Sequence, residues 1–175
     1  MTSPALNTDR DYRERFVRVI ATTCAANPGD RAALRSGLRR PPEDAPRMHR
    51  LVAPWLPDNP YRNRERALYT VASLIGAYDG PSVPGLSLGG ALAGVRGIAE
   101  KTVADRLLLL ARQDTDGVHR QIVGVVALID AQKAPRPDWA QLVADLSGWP
   151  AEGRIAQRWL QQYHRAGSRE ATGTA

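Results

Sequence analysis

YRNRERALYTVASLIGAY, residues 61–78, decides the fold class. Leu68, Val71, Ile75 and Tyr78 recur at intervals of three and four, which puts them on one side of an α-helix. Arg62 and Arg66 share the opposite side, so the segment reads as amphipathic. A strand would alternate apolar and polar residues, and this stretch does not. Upstream, Pro54, Pro57 and Pro60 hold the chain extended, because each proline pushes its predecessor out of helical geometry. Downstream, Gly80-Pro81-Ser82-Val83-Pro84-Gly85 is a loop and the candidate boundary between two lobes.

The helical period continues in both directions. Tyr12, Phe16, Val19, Ile20 and Thr23 share one face of a first helix, stopped by Pro28-Gly29. Asp30 is the expected N-cap of a short helix running to about Gly37. Arg39-Arg40-Pro41-Pro42 is a loop, and Pro46 suits the first turn of another short helix ending near Ala53. Beyond the boundary loop, Ser87 caps a short, glycine-weakened helix to about Gly94. A helix from about Ile98 to Arg112 buries Val103, Leu107 and Leu110. The next, from about Thr115 to Ala131, buries Val118, Ile122, Val125 or Val126, and Ile129, and Pro135 and Pro137 break it. Asp138 caps a helix carrying Trp139, Leu142, Leu146 and Trp149. Pro150 restarts the chain into a last helix with Ile155, Trp159 and Tyr163. No strand pattern and no repeat competes. The expectation is an all-α, two-lobed helical bundle of about eight or nine helices. Its parts are an N-terminal lobe over 1–80, a C-terminal lobe over 86–166 and a small, polar, disordered tail over 167–175.

Composition narrows the function. Of 24 basic residues 22 are Arg, and nine of these lie between Arg31 and Arg66 against four acids, Glu43, Asp44, Asp58 and Glu65. That segment therefore carries +5 of the chain's net +6. The isoelectric point of about 10.1 calls for an anionic partner. Arginine suits phosphate, since its planar fork grips two oxygens and stays charged at any working pH. Catalytic groups are scarce. Cys24 stands alone in a helical run and reads as a small core residue, so no intrachain disulfide or thiolate metal site can form. His49, His119 and His164 lack a second ligand at the i+4 spacing. Asp114 and Asp116 fall where a helix N-terminus is expected and read as capping charges, leaving Glu43-Asp44 as the other adjacent acids. Gly85-x-x-x-Gly89-Gly90 lacks the Lys-Ser/Thr ending and the strand of a phosphate loop. No catalytic residue, metal or cofactor is expected. No apolar run approaches the roughly 18 residues of a membrane span, and the longest candidate, Val118 to Ile129, is broken by His119, Arg120, Gln121 and Gly124. With no signal-peptide core at the N-terminus, a cytoplasmic protein without a membrane partner is expected.

Candidate contacts follow the charge. Arg31 and Arg35 stand one helical turn apart, and Arg39 and Arg40 continue off that helix. Arg62 and Arg64, with Arg66, open the amphipathic helix. Arg96, Lys101, Arg106 and Arg112 mark a second basic stretch, and Arg154 and Arg158 start the last helix. Such residues would give sequence-independent, salt-sensitive binding. The competing reading is a solvated face with local ion pairs such as Arg62–Glu65 or Asp105–Arg106. Trp139, Trp149 and Trp159 follow apolar stripes and are expected in the core; Trp55 and Tyr61, near the basic segment, are the aromatics placed to meet bases.

Ordered motifs along the chain resemble the small subunit of the type I-E CRISPR surveillance complex Cascade, the CasB family. They begin with Gly29-Asp30-Arg31-Ala32-Ala33-Leu34-Arg35 and Arg39-Arg40, then Pro46-Arg47-Met48-His49-Arg50-Leu51-Val52 and the Asn59-Pro60 link. Ser87-Leu88-Gly89 with Ala91-Leu92, then Asp138-Trp139, Leu146, Trp149 and the closing Trp159 to Tyr163 complete the series over about 150 residues. The resemblance implies a two-lobed helical protein without enzymatic activity. It would sit as a pair of copies on Cascade's backbone filament, with backbone and large subunits as partners. Target DNA, the displaced strand and crRNA are the implied nucleic acids, held without base reading because the guide supplies specificity. Arg35, Arg39 and Arg40 correspond to the family's first basic motif, Arg62 or Arg64 to the next, Arg106 and Arg112 to the middle helix and Arg154 to the last. Gly90 stands where the family usually has Arg, and Thr102 to Asp105 lacks part of a basic pair, for which Arg96 is the candidate substitute. Two other classes remain: a helical adaptor whose Arg-rich face binds an acidic protein, and a metal-dependent nuclease, which needs clustered carboxylates.

Overall fold

The computed structural model describes residues 4–78 and 80–172. Among them are nine α-helices and no strand, joined in places by single 3₁₀ turns. One isolated bridge pairs Ser82 with Arg136. The helices are α1 (Pro4–Ala26), α2 (Pro28–Arg35), α3 (His49–Val52), α4 (Arg62–Ala77), α5 (Leu88–Ala93), α6 (Glu100–Ala111), α7 (Thr115–Ala131), α8 (Trp139–Ser147) and α9 (Arg154–Thr172).

Local chemistry sets most boundaries. Pro28-Gly29, read as a stop, opens α2: proline at the first helical position loses no hydrogen bond, and its fixed φ suits the helix. The cap is Asn27 rather than Asp30. Its side chain accepts the N–H groups of Gly29 (2.8 Å) and Asp30 (3.3 Å), which leaves Asp30 in the first turn. Ser87 caps α5 by accepting the Gly90 N–H at 3.0 Å, and Asp114 caps α7 through Gly117 at 2.6 Å. α7 spans the stretch expected of it, and Val125 and Val126 are both buried.

The chain divides into two compact units, Met1–Asp79 with Trp139–Ser147, and Gly80–Asp138 with Gly148–Ala175. In the first, α4 is the central helix, with α1, α2 and α8 packed on it. It is therefore buried on every side from Arg66 to Gly76, not along one stripe. Arg66, placed on the solvent side by the amphipathic reading, is 6% exposed. On α1, Phe16 and Ile20 are buried while Val19 is exposed and Cys24 only half-buried. Chain order assigns residues 139–147 to the C-terminal lobe, yet α8 packs in the first unit against α4 and α1.

The second unit is built on the crossing of α5 and α9. Gly89 makes that crossing possible: a Cβ there would lie 1.9 Å from the Trp159 carbonyl oxygen. Trp149 and Trp159 stack with centroids 5.2 Å apart, and Trp149 Nε1 donates to the Gln113 carbonyl at 3.0 Å. Trp139, Trp149 and Trp159 are all buried, but Trp149, expected on the stripe of Trp139, lies beyond the end of α8 at Ser147 and belongs to the second unit. α9 continues through Thr172, so 167–172 are helical where a disordered tail was expected, and 173–175 lie outside the described residues. Among the described residues no helix is long and apolar enough to cross a membrane.

Candidate nucleic-acid interface

The structure sorts the basic residues by whether the protein already uses them. Arg31 is half-buried, and its Nε donates to the Gly76 carbonyl near the end of α4 (3.2 Å), tying α2 to α4. Close approach supports that tie, since a Cβ on Gly76 would meet Leu34 Cβ at 2.8 Å. Arg35, one turn on, is exposed and lines a surface depression with Arg31, Pro28, Ala32 and Ser36. The turn after α2 is closed by Gly37 N–H to Leu34 O (3.1 Å), Leu38 N–H to Arg35 O (3.2 Å) and Arg40 N–H to Gly37 O (3.0 Å). It presents Arg39 and Arg40 to solvent, Arg39 with a φ of +63°. Across α2, a second depression is lined by Asn27, Asp30, Pro46, Arg47 and Arg50, with Arg50 ion-paired to Asp30.

Arg35, Arg39, Arg40, Arg47 and Arg62 are exposed and make no side-chain hydrogen bond or ion pair among the described residues. Their donors remain available to an external anion. Arg47 was not among the expected contact residues; its signal was the Pro46-Arg47 start of a short helix beside α2. The suggested Arg62–Glu65 pair does not form. Arg64 is committed: it pairs with Asp9 (3.2 Å) and lies 4.8 Å from the centre of the Tyr12 ring. Burial pushes the Tyr12 hydroxyl above the usual tyrosine range, and the Arg64 guanidinium opposes that shift.

In the second unit, Arg106 and Arg112 are exposed and likewise unpaired among the described residues. Arg106 borders a narrow cleft of α6 and α7 with Leu109 and Gln121. Arg96 Nη1 donates to the carbonyls of Ala93 (2.6 Å) and Val95 (3.0 Å), closing the end of α5. It also edges a groove of about 580 Å³ floored by Leu92, Val95, Ile98 and Val103. Lys101 pairs with Asp105 at 2.7 Å, so Asp105 turns back one helical turn rather than to Arg106. Arg154 is exposed at the start of α9 and has an interaction within the protein.

The two aromatics near the basic segment part company. Trp55 packs edge-on against Tyr12 (5.8 Å) and Phe16 (5.5 Å), and its carbonyl accepts the Tyr12 hydroxyl. Tyr61 is 86% exposed. The histidines are dispersed: His49 Nδ1 lies 2.7 Å from the Tyr69 hydroxyl, His119 is buried and His164 stands edge-on to Tyr163. Among the described residues no three His, Cys, Asp or Glu side chains group as a metal site.

Residues 30–164 match the family model of CRISPR-associated protein Cse2. CRISPR-associated protein Cse2 of Thermus thermophilus is 34% identical over 162 residues, covering 91% of this chain and 90% of that one. A chain of a solved CRISPR RNA-guided surveillance complex superposes with a TM-score of 0.82 at 32% identity, covering 95% of this chain and 99% of that chain. The crystal structure of CasB from Thermus thermophilus gives a TM-score of 0.75 at 30% identity, with 88% and 98% covered.

Proposed function

This chain belongs to the CRISPR-associated Cse2 family, and on that premise we propose that it is the non-catalytic small subunit of a type I-E CRISPR RNA-guided surveillance complex. Its role there is to hold target DNA and the displaced strand through backbone contacts as the guide pairs, with crRNA as a further contact, in antiviral defence. It works beside backbone and large subunits and a second copy of itself, in the cytoplasm.

The observation that carries the reading is the exposed, internally unpaired set Arg35, Arg39 and Arg40 beside Arg31 on α2. Guanidinium groups without a carboxylate partner keep full charge facing solvent, where phosphate oxygens can take two donors each. Nothing in that set is arranged to read base edges, which suits a subunit whose specificity comes from guide pairing. Of the remaining candidates, Arg62, Arg106 and Arg112 are equally free to bind phosphate, whereas Arg31, Arg64, Arg96, Lys101 and Arg154 act from positions already held by the protein.

The test is a salt titration of binding to single- and double-stranded DNA of unrelated sequences, with the wild type and an Arg35→Ala/Arg39→Ala/Arg40→Ala variant. The wild type should bind all sequences alike, and the variant's log–log slope on duplex should be shallower by about 0.9 for each phosphate it no longer neutralises. An unchanged slope, or a weakening that depends on base sequence, sinks the clamp. Binding to an acidic polypeptide without binding to DNA would establish the adaptor class instead.

A further inference from the structure

We propose that Tyr61 is a stacking platform for an unpaired base of single-stranded nucleic acid, with Arg62 on the adjoining phosphate; this rests on the nucleic-acid reading above. Five large apolar side chains are exposed among the described residues: Val19, Tyr61, Val83, Leu108 and Leu109. Tyr61 is the aromatic one and, at 86%, the most exposed. Its ring contacts no aromatic or cationic group among the described residues, so both faces are open. Trp55, the other aromatic of this segment, spends its ring on Tyr12 and Phe16.

The backbone beneath Tyr61 is fixed. Tyr61 is the N-cap of α4, with φ −60° and ψ 128°, and its carbonyl accepts the Glu65 N–H (3.0 Å) in the first turn. Only the side-chain torsions remain to be ordered, so a base stacks on the ring at small entropic cost. Arg62 follows, exposed and unpaired among the described residues, whereas Arg64 is held by Asp9 and Tyr12. One ring beside one available cation is the minimal unit of single-strand binding, because every base has a π face and every nucleotide a phosphate. A protein partner would instead need a contiguous apolar patch. Its exposed chain neighbours Asp58, Asn59 and Arg62 are polar, and the apolar residues beside them are the small prolines Pro57 and Pro60. Paired bases in a duplex are stacked on each other and closed to such a ring, so the platform selects single strands.

The experiment uses the full chain and oligonucleotides carrying 2-aminopurine, an abasic single strand and the matching duplex. Wild type and Tyr61→Phe should quench 2-aminopurine and bind the single strand alike. Tyr61→Ala should bind the single strand roughly 5- to 150-fold more weakly, the range for one base–aromatic stack. On the abasic strand and the duplex all three proteins should bind equally. Equal single-strand affinity of Tyr61→Ala and wild type overturns the platform, as does an equal weakening on duplex or a Tyr61→Phe defect as large as that of Tyr61→Ala. Wild type that binds neither form at low salt overturns the nucleic-acid reading and the platform with it. Wild type that binds both, with Tyr61→Ala unchanged, removes the platform alone.

Discussion

Arg39 stands in the left-handed region, with a φ of +63°, at the outer end of the turn after α2. A side chain there costs roughly 1–2 kcal/mol, because Cβ crowds the following carbonyl. Glycine removes that crowding, although it has more backbone freedom to lose on folding. Arg39→Gly should therefore leave the melting temperature unchanged or raised while weakening DNA binding and flattening its salt dependence. Thermal unfolding followed by circular dichroism, with the titration above, checks both halves. A fall in melting temperature would mean that the Arg39 side chain packs, and a full retention of affinity would remove it from the interface. The contrast with Arg31 is instructive. The two residues look alike in sequence, eight positions apart in one basic run. Arg31 donates to the Gly76 carbonyl, 45 residues away, and no local pattern announces that bond.

Among the elements, α5 and α7 were the most legible. Each begins at a side chain that accepts a nearby backbone N–H, and each signal lies within a few residues of its effect. The entry to α2 lies three residues before the expected Asp30 cap, because Pro28 serves equally as a stop and as a first helical residue, and Asn27 decides between them. In α5 the adjacent glycines differ in kind. A Cβ on Gly89 would meet the Trp159 backbone at 1.9 Å, but on Gly90 its nearest neighbour is the flexible end of Leu86 at 3.0 Å. Gly89→Ala should destabilise by about 1–3 kcal/mol or more, since two helix backbones must separate. Gly90→Ala should be neutral or stabilising, helix propensity favouring alanine by about 1 kcal/mol. Denaturant melts of the two variants decide, and similar destabilisation at both positions would refute the packing argument.

For the molecule as a whole, the decisive feature is that α8 leaves its neighbours in the chain and completes the first unit. Trp139, Leu142, Val143 and Leu146 are buried on a helix that packs against α4 and α1. A fragment ending at Gly80 should therefore lack a cooperative thermal transition and bind a hydrophobic dye, although it contains α1 to α4 whole. A sharp melt without dye binding would show that the first unit folds without α8. The sequence by itself determined that the chain is all-helical, where most helices start and stop, that it is rich in arginine and poor in catalytic groups, and which family it resembles. Those properties rest on periodicity, caps and composition, which act over a few residues or over none. Only the tertiary structure decided that α4 is enclosed, that α8 belongs with α1 to α4, and which arginines have donors to spare. Burial and ion pairing depend on residues that are distant in the chain and meet only when the helices pack.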